Sequence, residues 1–396
     1  MDYDVIIIGA GIVGLSSAYN LQLKSPGIKI LVIEKEAKVA AHQSGHNSGV
    51  IHSGIYYPPK SKKAENCIKG YRLMLKFCDE HKIDYKICGK LIVATQTSEL
   101  VLLKDLLGRG EANGLDNLKW LDEPQLKAME PNINGIAALH VPQAGIVDYK
   151  AVAAKLKALI ESSGGQILLN SKVIDIDNRE DGVKIQTKAN SYSSRKVINC
   201  GGLYSDRLTT LSQTKIDHQI IPFRGEYYRL KPDKKHLVSR LIYPVPNPNF
   251  PFLGIHLTPT IDGEVECGPN AVLAFKREGY RFRDFNGRDF LESVTFSGFQ
   301  KLAAKFWRTG WLEMKQSLSK MAFTKAVQKL LPSITGNDLM KSGSGVRAQA
   351  LYKDGTLVDD FLILRNGAII NVCNTPSPAA TASLEIGKQI AQIVLE

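Results

Sequence analysis

Cysteine is too sparse and too scattered here to build either a disulfide framework or a metal site: the six cysteines include no C-x-x-C pair and fall at no metal-ligand spacing. No metal is expected, and a reducing compartment is. A basic leader is also missing, since the chain opens on Met1-Asp2-Tyr3-Asp4, acidic where a secretory signal carries positive charge. Lys and Arg outnumber Asp and Glu, 51 against 39, but form no basic tract and accompany no nucleic-acid reader motif. No nucleic-acid partner is expected; the excess reads as a solvated surface, or as an attraction for acidic substrates and anionic membranes. There is no internal repeat, coiled coil or low-complexity segment. One uncharged stretch, residues 5–23, is long enough to cross a bilayer, but Gly9, Gly11, Gly14, Ser16, Ser17, Asn20 and Gln22 argue against that. With 44% hydrophobic and 23% charged residues over 396 positions, what remains is a globular chain of two or three domains.

The opening segment supplies a reason for that apolar stretch. Asp4-Val5-Ile6-Ile7-Ile8 is β-branched on both faces, as a central strand of a parallel sheet requires. It runs into G-x-G-x-x-G at 9–14, then a helix-like stretch and a second apolar run ending at Glu34. Gly9 suits the tight turn, Gly11 lets backbone N–H groups reach a pyrophosphate at the helix start, and Gly14 lets helix and strand approach. Glu34 stands where a carboxylate accepts hydrogen bonds from an adenosine ribose. The unit therefore predicts dinucleotide binding through Gly9, Ala10, Gly11, Ile12, Val13, Gly14 and Glu34, with NADP disfavoured because Glu34 would face its phosphate.

After Glu34 comes a loop of small and polar residues, QSGHNSGVIHSGIYY at 43–57, rich in backbone donors for an extended ligand. Its segment HNSGVIHSGIYY at 46–57 resembles the flavin loop of the L-2-hydroxyglutarate oxidase/dehydrogenase family, a branch of the FAD-dependent amine and hydroxy-acid oxidoreductases. The resemblance continues in VINCGGLYSD at 197–206, IPFRGEYY at 221–228, LIYPVP at 241–246, PFLGIHLT at 251–258, GVRAQA at 345–350 and NTPSPAATAS at 374–383. It implies an α/β fold: a Rossmann-like FAD-binding domain at 1–84, 145–216 and 340–396, and a discontinuous α+β substrate domain on a mixed or antiparallel sheet at 85–144 and 217–339. It also implies FAD contacts from Lys35, Ser44, His46, Asn47, Ser48, Gly49, Val50, Val173, Cys200, Gly201 and Gly202. In the tail, Pro376, Ser377, Ala379 and Ala380 would meet the flavin's pyrimidine edge at a helix start. Between these blocks, helices are expected near 60–82, 98–107 with Ser98 as cap, 148–162 and 286–330, and strands near 85–95 and 166–176.

Oxidising a hydroxy acid requires a base and a carboxylate anchor from the protein. Arg347 is the expected anchor, because a guanidinium fork matches a carboxylate. His256 is the expected base, its imidazole able to take a hydroxyl proton near neutral pH, and His52 is a second catalytic candidate. The implied substrate is a dicarboxylate, so a second cation is needed; Arg224 is the choice, ahead of Lys276 and Arg277. Tyr57, with Tyr56, Tyr227 and Tyr228, is a candidate for the pocket wall. The expected activity is oxidation of L-2-hydroxyglutarate to 2-oxoglutarate, with electrons passed to a quinone or oxygen. Another hydroxy acid, glycerol 3-phosphate or an amino acid is the alternative substrate, and a flavin-containing RNA-modifying or RNA-binding protein the alternative class. A cytoplasmic location is expected, with peripheral attachment to the inner membrane permitted by the charge. Oligomeric state and covalent flavin attachment are open.

Overall fold

In the computed structural model, which describes residues 1–247 and 253–396, the β-branched opening is strand Tyr3–Ile8 at the centre of an eight-stranded sheet. Ile30–Ile33 and Ser191–Asn199 flank it, both parallel to it. Gln166–Leu168 and Ile369–Asn374 extend the parallel set outward. All four residues of Ile30–Ile33 are buried, as in a sheet covered on both faces. On one face Val5, Ile7 and Val32 pack with Leu15, Leu156 and Ile390 from three helices, Ile12–Lys24, Tyr149–Ser162 and Ala379–Leu395. On the other, Ile6, Ile8 and Leu31 pack with Ile176 and Ile185. Each such side chain contributes about 1.5–3 kcal/mol by leaving water. The suspect uncharged stretch is thus a strand, a turn and a helix.

The second sheet has nine strands. Its spine is His218–Leu230 paired antiparallel with Leu339–Tyr352 along almost their whole length. Beyond them run Val265–Gly268, His256–Pro259, Leu241–Pro244, Lys90–Ala94 and Ala137–Val141, antiparallel except for Leu241–Pro244 beside Lys90–Ala94. Leu91, Ile242 and Leu257 face a core shared with Phe323 and Val327 of helix Lys320–Val327. On the opposite face, Tyr243 and His256 line a cavity, and the site lies there. The α/β fold with its mixed second sheet is the one expected.

Several boundaries move. The return to the cofactor unit, expected at 340, comes later on strand pairing, because Leu339–Tyr352 is committed to the second sheet. Left-handed backbone breaks two expected strands: Gly89, φ +75°, separates Tyr85–Lys86 from Lys90–Ala94, and Asn170, φ +54°, separates Gln166–Leu168 from Val173–Arg179. Ser98 caps nothing; it lies in the 3-10 turn Thr97–Glu99, whose Glu99 carboxylate accepts the Thr95 N–H at 2.7 Å. Asp148 does cap its helix, accepting the Lys150 N–H at 2.8 Å. Of the resembling block at 251–258, Pro251 and Phe252 lie outside the described residues.

Candidate active site

Backbone meets backbone at the turn after Tyr3–Ile8. A Cβ on Gly9, φ +105°, would lie 2.5 Å from the Cys200 carbonyl oxygen, and one on Gly14 would lie 2.1 Å from the Gly9 carbonyl oxygen. Neither position admits a side chain. Gly11 is different: a Cβ there would meet only the Ser44 hydroxyl, at 3.3 Å. That same Ser44 Oγ accepts the Ile12 N–H at 2.9 Å and so satisfies one free donor of the helix. Val13 and Gly14 line a cavity at the helix's positive end. Glu34 ties the turns together, its carboxylate accepting the Ala10 N–H at 2.8 Å and the Glu36 N–H at 3.0 Å.

The cavity, of about 1410 Å³, extends from this turn to the second sheet. Its side is the loop 43–57, shaped by Asn47, whose amide donates to the Gln43 and Ser44 carbonyls at 3.0 and 2.8 Å and accepts the Gly49 N–H at 2.9 Å. Gln43 accepts the Ala348 N–H at 2.9 Å, and the His46 ring bonds the Ser344 carbonyl at 3.1 Å, so the loop is tied to strand Leu339–Tyr352 of the second sheet. The Thr381 hydroxyl accepts the His52 N–H at 3.0 Å and holds the loop to the last helix.

At the second sheet, His256 is 4% exposed and stacked on Tyr243 with ring centroids 4.0 Å apart. Its Nδ1 lies 3.0 Å from the Gly254 carbonyl oxygen. A carbonyl only accepts, so Nδ1 carries the proton and Nε2 keeps its lone pair. Burial, reinforced by the charges of Lys90 and Arg347, pushes the imidazole down to about 3, so it is neutral at physiological pH. Burial, with Lys90 and His256 behind it, likewise holds His52 well below the ordinary range. Arg347 lines the same cavity from Leu339–Tyr352. Such an arrangement can bind an anion, take a proton and exclude water.

A match to the family described as "FAD dependent oxidoreductase" spans residues 4–393. The chain belongs to that FAD dependent oxidoreductase family. It is 49% identical to the L-2-hydroxyglutarate dehydrogenase of Indibacter alkaliphilus, with 100% of both chains covered. Identity is 45% to the Escherichia coli K12 protein of that name, over 99% of this chain and 93% of the relative. It is 44% to the human mitochondrial one, over 99% and 88%. Among solved structures, the dithionite-reduced L-α-glycerophosphate oxidase of Mycoplasma pneumoniae with FAD bound shares the fold, at a TM-score of 0.81 and 24% identity, covering 100% of this chain and 95% of that one.

The residues of this FAD dependent oxidoreductase suit its cofactor. The glycine cradle leaves open backbone where a pyrophosphate would lie, and the cavity exceeds what a small substrate alone needs. Of the expected contacts, Gly9, Gly11, Ile12, Val13, Gly14, Glu34, Lys35, Ser44, His46, Asn47, Ser48, Val50, Val173, Cys200, Gly201, Gly202, Pro376, Ser377, Ala379 and Ala380 line the cavity, as do His52, His256, Arg347 and Tyr57. The Lys35 ammonium is held by Glu36 and Glu278 beside His42.

Five expected site residues fall elsewhere. Ala10 is fully buried, its N–H already given to Glu34. Gly49 sits off the wall, its N–H turned to Asn47. Arg224 is on the wrong face of its strand: Gly225 and Tyr227 line the cavity, and strand alternation turns Arg224 away, to Glu226 at 3.1 Å and the Arg281 carbonyl at 3.1 Å. Tyr228 follows Arg224 and packs on Phe323. Arg277 does reach the wall, but Asp206 takes its guanidinium in a two-pronged pair, and Lys276 lies off the wall. Tyr243 was missed. Its only signal was its place opposite His256 on the neighbouring strand, which single-strand periodicity does not reveal.

Proposed function

We propose that this FAD dependent oxidoreductase oxidises L-2-hydroxyglutarate to 2-oxoglutarate. The observation that carries the reading is the neutral His256, with Nε2 unprotonated, on a buried wall that also holds Arg347. Full-length likeness to L-2-hydroxyglutarate dehydrogenases supports the choice of substrate. In this reading Arg347 grips the carboxylate next to the carbinol carbon. His256 Nε2 takes the hydroxyl proton, and the Gly254 carbonyl stabilises the imidazolium that results. Tyr243, stacked on the ring, fixes its orientation and keeps water from it. FAD, when bound, supplies the acceptor for the hydride that leaves the carbinol carbon. Anaerobic mixing with L- and D-2-hydroxyglutarate, glycerol 3-phosphate and an amino-acid panel tests this. The L-2-hydroxy diacid is expected to bleach the flavin fastest, and bleaching by another substrate alone would replace it. Salt-sensitive RNA binding without any bleaching would favour the RNA-linked class.

The finer assignment of acceptor is a membrane quinone, reached from the cytoplasmic side. No helix among the described residues is long and apolar enough to cross a membrane. Support comes from helix Ser297–Leu318, whose outer side exposes Trp307 at 63% and Trp311 at 69%, with Leu318 on the same stripe and Arg308 and Lys315 beside it. Indole rings favour the interfacial zone, and the cations favour anionic headgroups. Cosedimentation with phosphatidylglycerol vesicles, lost at high salt and in Trp307→Ser/Trp311→Ser, is the expected result. Reoxidation of the reduced enzyme by air as fast as by a quinone analogue would argue for an oxidase instead.

A further inference from the structure

Lys90 is a buried cation that the chemistry above leaves unused. Its side chain has no measurable exposure, and among the described residues its Nζ has no hydrogen-bond or ion-pair partner. The ammonium lies 4.0 Å from the Tyr243 ring centroid and 5.0 Å from that of Tyr56. Both tyrosines line the cavity. Register explains the placement. Leu91 pairs with Ile242, and both face the core behind the sheet, so Lys90, Tyr243 and His256 emerge on the opposite face, where Tyr243 and His256 line the cavity and Lys90 lies just behind the rings of Tyr56 and Tyr243. Ring faces compensate a desolvated ammonium only in part, and a carboxylate compensates it far better. Burial lowers the amine to about 7, so an incoming anion would readily draw it back to the charged form. Behind burial, the charges of Lys90 and Arg347 both hold His256 in its neutral form.

We propose that Lys90 receives the second carboxylate of the substrate, entering between Tyr56 and Tyr243, while Arg347 holds the carboxylate beside the carbon being oxidised. This rests on the dicarboxylate reading above, and it fills the place expected for Arg224. The lysine stem is flexible, so Nζ can move from the rings to an anion without any change in the backbone.

The test compares Lys90→Met with the wild-type holoenzyme on L-2-hydroxyglutarate and on L-2-hydroxypentanoate, the same carbon chain without the far carboxylate. In Lys90→Met, kcat/KM for the diacid is expected to fall about 100-fold, mainly through KM, and that for the monoacid to change less than about threefold. Glutarate, which cannot be oxidised, gives a readout apart from turnover: it should raise the melting temperature of the wild type and not of the variant, whose ligand-free melting temperature should be no lower. Equal losses on both substrates, or a glutarate shift that survives the substitution, would overturn the proposal. Lys90→Gln serves if the methionine variant is insoluble, with the same split expected and its absence equally decisive. A wild type inert to L-2-hydroxyglutarate, but with a glutarate shift that depends on Lys90, would overturn the substrate and uphold the anchor.

Discussion

The glycine turn at 9–14 and the wall around His256 open on one cavity, yet the first is shaped by close backbone approach at glycines contiguous in sequence and the second by side chains brought from distant strands. Where backbone carbonyls sit 2.1–2.5 Å from a hypothetical Cβ, failure is steric and all-or-none. Where His256, Tyr243, Arg347 and Lys90 converge, each group makes a separable electrostatic contribution, so failure is graded. A cofactor shared across a family suits the first kind of site, and a substrate that varies among relatives suits the second.

Gly14→Val is the severest break in that comparison. Its branched side chain has no room beside the Gly9 carbonyl, so flavin-loaded protein is expected to be lost altogether, read as visible flavin absorbance per folded chain. On the graded side, His256→Ala should keep its flavin and lose about 100- to 10,000-fold in kcat, measured by stopped-flow reduction. Retention of most of its rate would remove the residue from the chemistry. Arg347→Ala should cost roughly 2–4 kcal/mol of transition-state binding, about 30- to 1000-fold in kcat/KM, again with flavin content unchanged.

The same histidine sharpens the comparison through pH. Its folded-state value is about 3 against an ordinary 6.5, so as pH falls below 6.5 the unfolded chain takes up a proton that the folded chain refuses. Stability is therefore fully present above pH 6.5 and declines on acidification, by up to roughly 1.4 kcal/mol per pH unit from this group. His256→Gln should flatten the fall in melting temperature between pH 7 and 5, and an unchanged slope would show that other groups set it. The smallest kinetic effect belongs to Arg224→Met. Breaking a buried pair with Glu226 lowers the melting temperature but leaves KM within about twofold, because the guanidinium faces away from the cavity.

The βαβ opening and the loop 43–57 were legible because their signals are contiguous: a β-branched run, three spaced glycines, a terminal acid, a run of small and polar residues. Arg224 was misplaced for an identifiable reason. His218–Leu230 is buried along most of its length, so no polar–apolar alternation marks which face meets the cavity. Lys90 was invisible in the same way, since a lysine in a strand reads as an exposed edge until its neighbours are known.

Sequence alone pointed to dinucleotide binding at the glycine turn, because the strand, the three glycines and the terminal acid that mark it are contiguous. Tertiary structure alone decided on which face of the second sheet each cation emerges. Strand register, set by pairings such as Phe223 with Arg347 and Leu241 with Lys90, fixes the face on which every side chain emerges, and a shift of one residue would exchange Arg224 for its neighbours.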